Sequence, residues 1–113
     1  MTARLPAHVA VGALIRQAEA CGGFAAVLHR GERDAGTILV VALQNGENLA
    51  IYERMPSLDG SRQWTAVPME ITENTEHFTE WLARRTRSDP DLWIVELDIA
   101  RGERLADILQ SVG

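Results

Sequence analysis

One apolar stretch limits the possible folds of this chain more than any other feature. Residues 37–43 read Thr-Ile-Leu-Val-Val-Ala-Leu, and they are apolar at both alternating positions. A strand with this pattern is buried on both faces, so we expect it at the centre of a sheet. Asn45-Gly46 follows it directly and is a strong signal for a tight hairpin. The chain is therefore expected to return as a neighbouring antiparallel strand.

Hydrophobic periodicity predicts the other elements around this strand. They are a helix at Leu5–Cys21, strands at Phe24–His29, Leu49–Arg54, Trp64–Met69 and Leu92–Ile99, a helix with the stripe Phe78, Trp81, Leu82 and Arg85, and a last helix with Leu105, Ile108, Leu109 and Val112. The order is α-β-β-β-β-α-β-α. Hairpin-like links between the first four strands predict a mainly antiparallel sheet with helices on one face. We expect a single α+β domain over residues 1–113.

Two strands carry further positional information. Pro68 cannot donate a hydrogen bond to a neighbouring strand, so the strand that contains it is expected at an edge. The strand at Leu92–Ile99 alternates, which separates its side chains between two faces. Trp93, Val95, Leu97 and Ile99 are expected on one face, and Ile94, Glu96 and Asp98 on the other.

Charge and composition exclude several classes of function. The net charge is −5, so nucleic-acid binding, which depends on phosphate neutralisation, is not expected. The sequence has no lysine, which excludes a Schiff-base lysine in this chain. Cys21 is the only cysteine, so no internal disulfide can form, and it falls on an apolar stripe typical of an inert thiol. We expect a soluble cytoplasmic protein without a membrane segment.

Three stretches resemble a small uncharacterised family of alphaproteobacterial proteins, known only as a domain of unknown function. They are Val11-Gly12-Ala13-Leu14-Ile15-Arg16, Arg30-Gly31-Glu32-Arg33-Asp34-Ala35-Gly36 and Asp91-Leu92-Trp93-Ile94-Val95-Glu96-Leu97-Asp98. The resemblance extends over most of the chain, and none of the stretches is a chemical motif. It implies a small bacterial cytoplasmic protein and transfers no activity to it.

The second helix carries a candidate metal site. Glu73, His77 and Glu80 recur at steps of four and three, which places them on one helical face. Two carboxylates beside an imidazole can bind a divalent metal, or they can orient a general base. The alternative is a solvated face with an ion pair between Glu80 and Arg84, and Glu73 can also precede the helix. Arg84, Arg85 and Arg87 are interpreted as charges that complement the helix dipole.

The fifth strand carries a second candidate. Glu96 and Asp98 lie two residues apart, which places their side chains about 6.5–7 Å apart on one face. Such a pair can hold a metal ion or divide acid and base roles. The alternative is that these carboxylates mark the hydrated face of a half-buried strand.

The turn at Arg30–Gly36 is a candidate anion site. Its two glycines permit unusual backbone angles, so amide groups can converge on an anion, and Arg30 and Arg33 can add bidentate contacts. In the alternative interpretation this is a polar turn in which Asp34 bonds local amides. The tetrapeptide Arg-Gly-Glu-Arg recurs at residues 101–104, which we attribute to coincidence or to similar turn chemistry.

The function itself is not specified by these patterns. The leading hypothesis is a non-catalytic accessory or protein-interaction domain, because no specific catalytic signature is present. If helices cover one face only, the other exposes Ile38, Val40, Ala42 or their neighbours and favours a protein interface, often that of a homodimer. Trp64, on the expected edge strand, is the aromatic side chain we expect at an interface. Alternatives are a small anion- or metabolite-binding protein and a metal-assisted enzyme; no cofactor is expected.

Overall fold

The structure is a computed structural model that describes residues 5–56, 62–68 and 75–112. Its elements are α1 (Ala7–Ala20), β1 (Phe24–His29), β2 (Ile38–Gln44), β3 (Glu47–Pro56), β4 (Arg62–Ala66), α2 (Thr75–Ser88), β5 (Trp93–Asp98) and α3 (Arg104–Val112). This confirms the predicted α+β class and element order. Met69, the end of the predicted fourth strand, lies outside the described residues. No helix in these ranges is long and apolar enough to cross a membrane.

The five strands form one mixed sheet in the order β1-β5-β2-β3-β4. β5 is parallel to β2, and the other neighbours are antiparallel. The expected hairpin between β1 and β2 is wrong, because β5 lies between them. β5 is apolar enough to be buried on both faces, and insertion at this position covers both of its edges. The links β2–β3 and β3–β4 join antiparallel neighbours, as predicted.

The β2–β3 hairpin turns at Asn45-Gly46, as the sequence predicts. Both residues have positive φ angles, 52° at Asn45 and 84° at Gly46. Two consecutive positive φ angles are the requirement of a type I′ turn, whose twist matches that of paired strands. The turn sets the pairs Gln44–Glu47 and Leu43–Asn48, and a register shift between Ala42 and Leu43 then pairs Ala42 with Ala50 and Val40 with Tyr52.

Helices cover both faces of the sheet, so the expectation of helices on one face is wrong. α1 and α3 pack on the face that includes Ile38, Val40 and Ala42, which are 0% exposed. α2 packs on the opposite face against Leu39, Val41, Ile51 and Ile94. The physical reason is that β2 is apolar on both faces and needs cover on both. The proposed homodimer surface at Ile38, Val40 and Ala42 is therefore internal.

The helical and strand periodicities are confirmed in the core. Trp93, Val95, Leu97 and Ile99 belong to the α1/α3 face, and Ile94 belongs to the α2 face. The four apolar residues predicted for the last helix, Leu105, Ile108, Leu109 and Val112, are all buried. β2 is the third strand of five, and β4 is an edge strand.

Candidate functional site

The first strand of the chain is an edge of the sheet with apolar side chains in solvent. Among the described strands, β1 pairs with β5 alone. Phe24 is 77% exposed, Leu28 49% and Val27 43%. Val9, on α1, is the one other large apolar side chain that is exposed among the described residues. Exposed apolar surface is thus concentrated on one strand.

The cover provided by the helices explains this exposure. Among the described residues of β1, Ala25 alone packs against the α1/α3 core. The α2 core takes residues from β2, β3 and β5 and none from β1. α2 therefore covers the sheet from its β3 side and leaves the β1 margin open.

The two ends of β1 differ in charge. Asp98 of β5 lies opposite Phe24, and Arg30 directly follows His29 at the other end. A β-bulge interrupts the pairing with β5 between Val27 and His29. His29 Nδ1 lies 2.6 Å from the carbonyl oxygen of Leu92, which fixes the end of the strand.

The turn at Arg30–Gly36 links β1 to β2 along the chain and contacts the start of α1. The Glu32 carboxylate accepts hydrogen bonds from the backbone amides of Asp34, at 3.0 Å, and Ala35, at 2.5 Å. The amides of Ala7 and His8, at the start of α1, donate to the carbonyls of Asp34 and Arg33. The two turn amides that could meet an external anion are thus occupied by a carboxylate of the turn itself.

The same turn is held against the beginning of β5. A Cβ at Gly31 would overlap the carbonyl oxygen of Asp91, and one at Gly36 would lie 2.5 Å from the same atom. Trp93 Nε1 donates to the carbonyl oxygen of Glu32 at 2.7 Å. The two glycines therefore serve close backbone approach, and the turn acts as a joint between α1, β1 and β5.

Both predicted arginine ligands of this turn are exposed. The Arg30 guanidinium carbon lies 6.0 Å from the centre of the Trp93 ring, within cation–π range. Arg33 contributes its backbone carbonyl to the joint, and Asp34 lies 4.0 Å from His8. The structure brings Arg30, Arg33 and Asp34 to one turn, with the Arg30 side chain beside Trp93 and the Asp34 side chain beside His8.

The two candidate metal sites are placed differently. His77 and Glu80 are exposed on α2, with Glu80 3.9 Å from Arg84, while Glu73 lies outside the described residues. Glu96 and Asp98 are half-buried on β5, and Asp98 accepts a hydrogen bond from the Gly46 amide at 3.0 Å. Within the described ranges, no three His, Cys, Asp or Glu side chains are grouped for a metal ion.

Two arginines are part of the framework: Arg54, which the sequence analysis did not single out, and Arg85, which it placed on the apolar stripe of the second helix. Arg54 on β3 is 1% exposed, donates to the carbonyl of Leu5 at 3.3 Å and lies 6.0 Å from the Trp64 ring centre. Arg85 on α2 pairs with Glu53 on β3 and lies over Trp81. Trp64 is partly buried against the α1/α3 core, so the exposed aromatic of an edge strand is Phe24 instead.

Two cavities lie beside α3. A groove of about 600 Å³ lies between α3 and the β3–β4 hairpin, and its lining includes Ala50, Ala66 and Ala106 together with larger side chains such as Tyr52 and Leu105. A second cavity of about 250 Å³ is lined by Ala20, Cys21, Ile99, Arg101 and Arg104. The nearby Glu103 has a lowered pKa because its carboxylate accepts a backbone hydrogen bond and one from Arg101.

Comparison with known proteins identifies close structural relatives. A family model described as "Protein of unknown function (DUF1491)" matches residues 5–107. A crystal structure of a DUF1491 family protein from Caulobacter crescentus is similar with 33% identity and a TM-score of 0.71, over 87% of this chain and 91% of that one. An NMR structure of a DUF1491 family protein from the same organism is similar with 33% identity and a TM-score of 0.73, over 89% of this chain and 91% of that one.

A third relative comes from a second organism. The solution structure of a protein from A. tumefaciens is similar with 30% identity and a TM-score of 0.71, over 88% of this chain and 89% of that one. No curated protein matches the chain. These findings confirm the resemblance inferred from the three sequence stretches. Two of those stretches, the Arg30–Gly36 turn and the Asp91–Asp98 segment, contact each other through Trp93 and Glu32.

Proposed function

The chain belongs to the DUF1491 family, and from this premise we propose that it is a non-catalytic protein-interaction domain that self-associates through β1. The observation that carries the proposal is the exposure of Phe24, Val27 and Leu28 on one edge strand. An edge strand has unpaired backbone groups on one side, and apolar side chains there favour addition of another strand.

A second copy of the same chain is the occupant that fits this edge. The six residues of β1 include no Asp, Glu, Lys or Arg, in a chain of net charge −5. Two like-charged copies meet with least repulsion along an uncharged strand. Antiparallel pairing of identical strands is also self-complementary, and it closes with twofold symmetry. The product would be a continuous sheet of two five-stranded halves.

The charges at the ends of β1 support antiparallel pairing. Asp98 lies opposite Phe24 at the beginning of the strand, and Arg30 follows at its end. Antiparallel association brings the Arg30 end of each copy toward the Asp98 end of the other. The bulge after Val27 confines regular pairing to Phe24–Val27, so the interface is small. We expect a dissociation constant of about 10–100 µM.

The alternative functions have less support from the geometry. Anion binding by Arg30, Arg33 and Asp34 competes with the Glu32 carboxylate at the turn amides. A metal site at Glu96 and Asp98 has one carboxylate engaged with Gly46. Self-association requires no such displacement. We further propose that residues 1–113 form a single domain and that the protein is located in the bacterial cytoplasm.

Sedimentation equilibrium tests the proposal with a matched pair of variants. The wild-type protein should change from monomer to dimer as its concentration rises through about 10–100 µM. Phe24→Lys places a charge on the exposed β1 edge and should remain monomeric, while Thr65→Lys on the exposed β4 edge should dimerise like wild type. A wild-type protein that stays monomeric at about 1 mM contradicts self-association.

A further inference from the structure

The smaller cavity beside α3 has the chemistry of an anion site. Of its five lining residues, two are arginines and none is acidic, and the carboxylate of Glu103 pairs with Arg101 outside the lining. Cys21 and Ala20 form its wall from the end of α1, and Arg101 and Arg104 approach from the beginning of α3. A volume of about 250 Å³ accommodates a tetrahedral oxyanion with accompanying water.

The two guanidinium groups retain donors for a ligand. Arg101 donates from Nε to Glu103 at 3.0 Å, and this bond uses one of its five N–H groups. Arg104 forms no ion pair within the part of the chain that the structure describes. Guanidinium groups present paired N–H donors whose spacing matches two oxygens of a phosphate.

We propose that this cavity binds a phosphate group, either free phosphate or the phosphate of a small ester. Arg101 and Arg104 supply the charge and the donors. The site lies on the opposite end of α1 from the Arg30–Gly36 turn. It does not depend on self-association through β1.

The first copy of the Arg-Gly-Glu-Arg tetrapeptide shows why the second one is suited to a ligand. In the first copy, Glu32 folds back onto the amides of Asp34 and Ala35 and occupies them. In the second copy, Glu103 is held by Arg101 outside the lining of the cavity. The same tetrapeptide sequence therefore forms a turn with occupied amides at residues 30–33 and borders a cationic cavity at residues 101–104.

A phosphate titration of the ¹⁵N-labelled protein tests the site directly. Inorganic phosphate replaces chloride at constant ionic strength, with glycerol phosphate as a second arm. Saturable shifts are expected at the amides of Cys21, Gly22 and Gly102. Tighter binding of glycerol phosphate identifies an ester as the source, and equal or weaker binding identifies free phosphate.

Variants of the two tetrapeptides provide the control. Arg104→Gln should weaken phosphate binding by about tenfold, because it removes one charged fork. Arg33→Gln changes the equivalent position of the first copy and should leave the affinity unchanged. Shifts that do not saturate, or that persist unchanged in Arg104→Gln, overturn the proposal.

Cys21 gives a second readout because it is the only cysteine in the sequence. Its thiolate attacks one sulfur of an aromatic disulfide, which forms a mixed disulfide and releases the aromatic thiolate. The rate with an anionic reagent, 5,5′-dithiobis(2-nitrobenzoate), is compared with that of neutral 4,4′-dithiodipyridine. The anionic-to-neutral ratio should fall about three- to tenfold in Arg104→Gln and on phosphate addition. An unchanged ratio in both cases contradicts an anion site beside this thiol.

Discussion

The two edge strands of the sheet, β1 and β4, differ in composition and in surroundings. At β4, Trp64 turns inward against the α1/α3 core and Arg54, while Thr65 and Ala66 face solvent. At β1, Phe24, Val27 and Leu28 are exposed. Pro68 follows β4 closely and cannot donate to an added strand, whereas no proline lies within or beside β1. The β4 edge is therefore protected from pairing, and the β1 edge is open to it.

The attachment of the two edges differs as well. The end of β1 leads into a turn held by Trp93 Nε1, which bonds the Glu32 carbonyl. Trp64 Nε1, near β4, is buried and has no hydrogen-bond acceptor among the described residues. The hydrogen bonds of the Arg30–Gly36 turn therefore hold the end of β1 in place, and the apolar side chains of β1 lie on a well-defined backbone.

The largest effect is expected where the β1 joint meets β5. Gly31→Ala should destabilise the protein by about 3 kcal/mol, because the new Cβ overlaps a backbone carbonyl of Asp91 that cannot swing away. Gly46→Ala is the control: its Cβ meets open space, so only its φ of 84° costs stability, about 1 kcal/mol. Urea unfolding measures both. Equal losses would break the claim that the joint is tightly packed.

An intermediate effect separates the two tryptophans. Trp93→Phe deletes the hydrogen bond to Glu32 and leaves that carbonyl without its donor, whereas Trp64→Phe deletes an N–H that has no acceptor in the described structure. Both variants lose similar ring volume. Trp93→Phe should therefore cost about 1 kcal/mol more free energy of unfolding than Trp64→Phe. The reverse order in thermal or urea unfolding would contradict the assigned difference between the edges.

The smallest effect is expected at the exposed edge itself. Phe24→Thr should change the stability of the monomer by less than about 0.5 kcal/mol, because the side chain contributes little to the core. Unfolding is measured at low protein concentration, where association is absent. A loss of several kcal/mol, about that of a buried Phe→Ala change, would show that Phe24 serves folding instead of association.

Local patterns predicted the parts of the fold that depend on local periodicity. The two-sided apolarity of residues 37–43 placed β2 at the centre, Asn45-Gly46 located the hairpin, and Pro68 marked the β4 edge. The insertion of β5 between β1 and β2 was not predictable in this way, because strand partners far apart in sequence are chosen by global packing. Helices on both faces follow from that same packing.

The candidate site was less accessible from sequence. The strand Phe-Ala-Ala-Val-Leu-His lacks polar alternation, which signals either burial on both faces or an apolar edge. Only its position beside β5 decides between these alternatives. Likewise, the role of Glu32 depends on the path of the turn, and the burial of Arg54 depends on contacts with Leu5 and Trp64.

Self-association through β1 is tested by backbone amide hydrogen exchange at several protein concentrations. Pairing of two β1 strands would place outward-facing β1 amides in new hydrogen bonds, while β4 stays at a free edge. Protection of Phe24–Val27 is expected to rise with protein concentration, and protection of Arg62–Ala66 is expected to stay constant. Concentration-independent exchange at β1, or a rise confined to β4, would contradict self-association through the open edge.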